Sequence, residues 1–117
     1  MTKIGLLITK KINNQQNKFK VNGIKNENKI TYKDLENNSK IILEQVDSSL
    51  KIKIISPNLE NNMFFKDKSK TNGYFILNRR KIAYVIETKK LFLSDKKIDI
   101  EYIIDKVNKY TLEVQDD

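Results

Sequence analysis

Between Lys96 and Val114 apolar and polar residues take turns along the chain. Ile98, Ile100, Tyr102 and Ile104 alternate with Asp99, Glu101, Ile103 and Asp105. After a short polar break, Tyr110, Leu112 and Val114 alternate with Thr111, Glu113 and Gln115. A period of two gives an extended strand one apolar face and one wet face, so the segment predicts two strands joined as an antiparallel hairpin. The same alternation recurs upstream. Ile4, Leu6 and Ile8 mark a first strand, and Asn13 to Asn17, all Asn and Gln, reads as the first turn. Phe19 and Val21 belong to a second strand, which Gly23 interrupts as a bulge, a bend or a close backbone approach.

Asn26-Glu27-Asn28 turns the chain into a strand from Ile30 to Leu35, and Asn37-Asn38 makes the next connection. Ile41 to Val46 and Leu50 to Ile55 flank the compact turn Asp47-Ser48-Ser49. Pro57, which cannot donate to a ladder, ends that strand. Leu59 to Asn62 reads as a loop or a single helical turn, Phe64-Phe65 reopens extended structure, and Lys66 to Asn72 is polar. Tyr74 to Leu93 is too long for one strand and predicts two, with a turn at Asn78–Lys81 and a bend near Lys89. A helix is the rival over Ile82 to Leu93, but Ile82, Tyr84, Val85, Ile86, Thr88 and Phe92 favour a strand. The expectation is one all-β domain over residues 1–117, an antiparallel meander of about eight to ten strands forming a sandwich or an up-and-down barrel.

Composition narrows the chemistry more than it identifies it. The 117 residues contain no His and no Cys, which excludes thiol catalysis, Ser–His and Cys–His triads, and zinc or iron sites built on those ligands. Three glycines cannot build a phosphate-cradling loop, and no G-x-G-x-x-G or G-x-x-x-x-G-K-[ST] occurs. No metal, cofactor or catalytic residue is therefore assigned, and a non-enzymatic protein is expected. Carboxylate chemistry is what remains, and Asp99, Glu101 and Asp105 read first as the wet face of an amphipathic strand. The N-terminal segment lacks the order of a signal peptide, and no run approaches the roughly 20 apolar residues that span a bilayer. Together with the lack of cysteine, this predicts a cytoplasmic protein without membrane insertion.

The net charge of +8 invites a nucleic-acid reading. It is discounted by its source: 21 lysines stand against two arginines. Arginine makes the bidentate phosphate and guanine contacts, whereas Lys, Asn and Ile share A/T-rich codons. A solvated lysine surface with weak, nonspecific nucleic-acid attraction is expected. A role in binding RNA or a ribonucleoprotein is the alternative. Arg79 and Arg80 are candidates for anion binding, set against a charged hairpin tip that discourages edge pairing. Tyr32, Tyr84 and Tyr102 fall on apolar strand faces and are candidates to line a ligand cavity.

The order of these segments resembles the YwiB-like family of small bacterial proteins of unknown function. Phe19 to Gly23 is similar to that family's second strand with its glycine. Lys29 to Asp34 is similar to its Y-x-E segment, with Asp34 in place of Glu, and Leu50 to Ile54 to its core strand. Thr71 to Phe75 resembles its threonine–glycine turn entering a strand, Ile98 to Tyr102 its I-x-L-x-Y strand, and Tyr110 to Gln115 its closing strand. The family's arginine and glycine after the core strand are replaced here by Ile54-Ile55-Ser56-Pro57. The resemblance implies a calycin-like (lipocalin-type) β-barrel, closed so that no edge is left, and with it a pocket for a small apolar or amphipathic ligand.

Overall fold

A computed structural model describes residues 1–117 as ten strands and no helix. They are β1 (Thr2–Ile12), β2 (Gln15–Asn26), β3 (Lys29–Asp34), β4 (Ser39–Val46), β5 (Ser49–Ser56), β6 (Leu59–Phe65), β7 (Lys70–Leu77), β8 (Arg80–Leu93), β9 (Lys97–Ile104) and β10 (Asn108–Asp116). Each strand pairs antiparallel with its neighbours in sequence, and β1 pairs with β10 to close the barrel. Closure satisfies the backbone groups an open sheet would leave along its edges.

The alternation predicts the inside correctly. Leu6 and Ile8 of β1, Leu43 of β4, Leu50 and Ile52 of β5, Phe65 of β6, Ile86 of β8, Ile100 of β9 and Val114 of β10 are all at most 2% exposed. They fill the middle of the barrel with side chains. Because the strands alternate in direction, the β1–β2, β3–β4, β5–β6, β7–β8 and β9–β10 connections lie at one end, and both chain termini lie at the other.

Three expectations are corrected. The first turn is Asn13-Asn14 alone, and Gln15 to Asn17 already pair with Lys10 to Ile12. Backbone bonds hold this stretch, so its all-polar side chains need no core. Leu59 to Asn62 is strand, not helix or loop, because both edges of β6 are paired there, to β5 and to β7. Gly73 lies inside β7 and not in a turn.

Other local readings acquire a geometry. Asn78 and Arg79 have φ of 50° and 64°, the pair of left-handed residues that a type I′ hairpin requires. Near Lys89 the ladder slips. Thr88 faces Tyr102 and Lys90 faces Glu101, so Lys89 is the extra residue of a β-bulge. The bulge changes parity along β8, so that Ile86 and Thr88 before it and Leu91 and Leu93 after it all line up with inward residues of β9. Gly23 marks a close approach: a Cβ there would lie 2.7 Å from Leu6 Cδ1 and 3.0 Å from the Thr31 carbonyl oxygen.

Candidate functional site

The barrel is packed in its middle but not at the end that carries the β1–β2 and β3–β4 turns, here termed the turn end. Continuing the inward faces past the core brings Lys10 and Ile12 of β1, Tyr32 and Asp34 of β3, Ile54 of β5, Met63 of β6, Tyr102 of β9, and Tyr110 and Leu112 of β10 around one cavity of about 210 Å³. Register explains the convergence. Lys10 stands opposite Leu112, Ile12 opposite Tyr110, Tyr110 opposite Tyr102, and Tyr32 opposite Ile41.

The walls are mostly apolar, and the charge is confined to one corner. Lys10 Nζ donates to Asp34 Oδ2 at 2.7 Å. Asn37, in the β3–β4 turn, donates its side-chain amide to Asp34 Oδ2 at 3.2 Å and its backbone N–H to Oδ1 at 3.4 Å. Burial works against ionisation of Asp34, but the bonds from Lys10 and Asn37 outweigh it and hold the carboxyl below its usual range. Ser39, paired with Asp34 across the ladder, shares a 2.8 Å bond with Ser56 and donates to the Asn37 carbonyl. The Lys10 ammonium also lies 5.3 Å from the centre of the Phe19 ring.

Two of the three predicted tyrosines, Tyr32 and Tyr102, line this cavity, and Tyr110 joins them. Tyr102 stacks on Tyr110 with centroids 5.1 Å apart and planes 11° apart, and meets Phe65 edge-on at 4.8 Å. Tyr84 stands outside the cavity lining. Its ring lies against Phe75 at 4.8 Å, and its hydroxyl donates to Asn61 Oδ1. Burial raises the phenol of Tyr32, with help from the Asp34 charge, and that of Tyr102, with help from Tyr110, Tyr84 and Tyr32. Burial pushes Tyr84 up to about 12 even though the Asn61 bond opposes it. The hydroxyls of Tyr32, Tyr102 and Tyr110 have no protein partner, yet they are not sealed in protein. Thr88 Oγ1 is the one fully enclosed side-chain polar atom without a bond.

The remaining candidates are elsewhere. Arg79 and Arg80 are exposed on the β7–β8 hairpin, at the cavity end of the barrel but not in the cavity lining. Asp99 points outward and pairs with Lys90 at 3.0 Å, Glu101 is exposed, and Asp105 lies beyond β9, where its carboxylate accepts from the Val85 N–H. These three carboxylates do not converge. Lys10, Asp34 and Tyr110 were absent from the sequence-derived candidates, although a signal was present. The even-numbered face Ile4-Leu6-Ile8 runs on through Lys10 to Ile12, which places the lysine inside.

No family model matches the sequence, and no curated protein matches it. The crystal structure of the ywiB protein from Bacillus subtilis is similar, with a TM-score of 0.65 at 16% sequence identity, over 99% of this chain and 92% of that one. The chain has the YwiB fold. The likeness read from the strand motifs therefore holds for the fold of the whole chain, which here is a ten-stranded closed barrel.

Proposed function

We propose that this protein is a non-enzymatic, cytoplasmic binding module that takes one small amphipathic molecule into the turn end of its barrel. The observation that carries this reading is the cavity itself. It is largely apolar, it is walled by stacked aromatic rings and aliphatic side chains, and its few polar groups are gathered at one corner, as in sites built for small ligands. A cavity of about 150 Å³ accepts benzene. The 210 Å³ here suits a substituted single ring or a short branched chain. About ten non-hydrogen atoms at roughly 0.6 kcal/mol each, within the range small ligands reach, correspond to a Kd of tens of micromolar.

Native mass spectrometry of the purified protein, with the denatured mass as reference, tests the reading. A reproducible extra mass that is lost on denaturation is expected. A bare native mass, combined with no response of the Tyr102 and Tyr110 ring resonances to a library of single-ring compounds, refutes it.

A second reading rests on a different surface. On the outer face of β4 to β7 a more open cleft of about 520 Å³ has Phe64 and Tyr74 among its walls with Lys29, Lys51 and Lys53 around them. Aromatic faces among lysines suit single-stranded RNA, which stacks its bases and pairs its phosphates. That reading requires binding that survives moderate salt with a steep salt slope and falls on Tyr74→Ala. Binding that vanishes above roughly 150 mM salt reduces it to general charge attraction.

A further inference from the structure

Resting on the cavity reading, we infer that the occupant is a small organic acid, its carboxylate held by Lys10, Tyr32 and Tyr102 and its apolar body lying toward Ile54, Met63 and Leu112. The polar corner has donors to spare, and its one charged acceptor is already largely engaged. Asp34 is the one carboxylate in the cavity, and its oxygens already receive three bonds, from Lys10 and twice from Asn37. It is a compensated anion and makes no demand for a cationic guest. Lys10, by contrast, spends one of three N–H donors on Asp34 and keeps 29% of its side chain exposed. Tyr32 and Tyr102 line the cavity, are each at least nine-tenths buried, and make no hydroxyl bond to a protein acceptor.

Charge points the same way. The cavity lining holds Lys10 and Lys11 against Asp34 alone, on a protein of net charge +8. Phenols are protonated at neutral pH and burial raises these two further, so they remain donors. A carboxylate accepts several such bonds at once, and charge-assisted bonds of this kind are the strong ones. An amine would face the ammonium of Lys10 instead, and an uncharged guest would offer these donors only a neutral acceptor, whose bonds are about half as strong.

The test uses three probes of one shape, benzoate, benzyl alcohol and benzylamine, titrated calorimetrically into the wild-type protein. Two variants follow: Lys10→Met combined with Asp34→Asn, which removes the ion pair as a unit, and Tyr102→Phe, which removes one hydroxyl and keeps the ring. Benzoate is expected to bind at least tenfold tighter than either other probe. The double variant should abolish that preference, and Tyr102→Phe should weaken benzoate severalfold while leaving benzyl alcohol unchanged. Benzyl alcohol or benzylamine binding as well as benzoate overturns the acid assignment and leaves the cavity reading standing. Benzoate binding unaltered in both variants overturns the assignment as well, since the acid would then sit on surface lysines. Failure of all three probes to bind at millimolar concentration overturns the cavity reading and the acid assignment together.

Discussion

Replacing Gly73 by Ala should destabilise the barrel, although alanine is ordinarily the better residue in a strand. Gly73 has no positive φ, so nothing in its backbone demands glycine. At such a position Gly→Ala stabilises by about 0.4–1 kcal/mol through the unfolded chain. Here the side chain has nowhere to go. Gly73 faces Tyr84 across the β7–β8 ladder, and a Cβ would lie 2.5 Å from Tyr84 Cζ and 2.7 Å from its Cε2. The ring covers the glycine and must slide away by about 1 Å to restore ordinary van der Waals separation. Doing so disturbs the contact with Phe75 and the hydroxyl bond to Asn61. Overpacking of this kind costs about 1–3 kcal/mol and the bond about 0.5–1.5 more, so the net loss is about 1–3 kcal/mol. In a Tyr84→Ala background the space is free, and the same substitution should stabilise by up to about 1 kcal/mol. The two effects differ in sign, a coupling of about 1–4 kcal/mol. Urea unfolding followed by far-UV circular dichroism measures all four corners of the cycle. An unchanged or raised stability for Gly73→Ala alone, or an equal effect in both backgrounds, would show that Tyr84 does not occupy the glycine's side-chain space.

Other perturbations probe separate parts of the molecule. Ile100, fully buried in the middle of the barrel, should cost about 2–5 kcal/mol on truncation to Ala, whereas half-exposed Ile82 should cost well under 1; an Ile100 variant as stable as wild type would mean that the strand's two faces are reversed. Thr88→Val should raise the melting temperature, stabilising by about 1–2 kcal/mol, because it removes an enclosed hydroxyl that has no partner; a lower melting temperature would reveal a bond to that oxygen. Asp34 titrates below its ordinary range when folded, so its contribution is present above the unfolded value near 3.9 and is lost as pH falls through the folded one. Asp34→Asn should therefore cost about 1–3 kcal/mol at neutral pH and progressively less in urea melts taken below about pH 4, and a gap that stays constant with pH would exclude ionisation as its source. The raised phenols predict the converse in alkali: stability falls once pH exceeds the ordinary phenol value near 10, and phenolate absorbance loses its component near pH 12 in Tyr84→Phe.

What the sequence determined was everything that depends on a period of two and on short-range turns. Alternation in Ile98–Ile104 and Tyr110–Val114 is a property of each strand by itself, and so is the need to bury one face. Polar breaks such as Asp47-Ser48 and Asn78-Arg79 sit where successive strands must reverse, so strand order and the meander follow from local chemistry. The local rules failed where pairing rather than side-chain burial holds the chain extended. Gln15 to Asn17 is strand because β1 supplies its hydrogen bonds, and Leu59 to Asn62 because β5 and β7 do. The candidate site lay still further from view. Tyr32 and Tyr102 were legible as inward aromatics, but their meeting with Tyr110, and the bond between Lys10 and Asp34 across 24 residues, require a closed barrel with one particular register. Tyr84 shows the same dependence in reverse: the alternation turns it inward, and the opposing Gly73 then draws its ring away from the cavity. Only the tertiary structure could decide these points, because periodicity says which way a side chain points, while closure and register decide what it meets there.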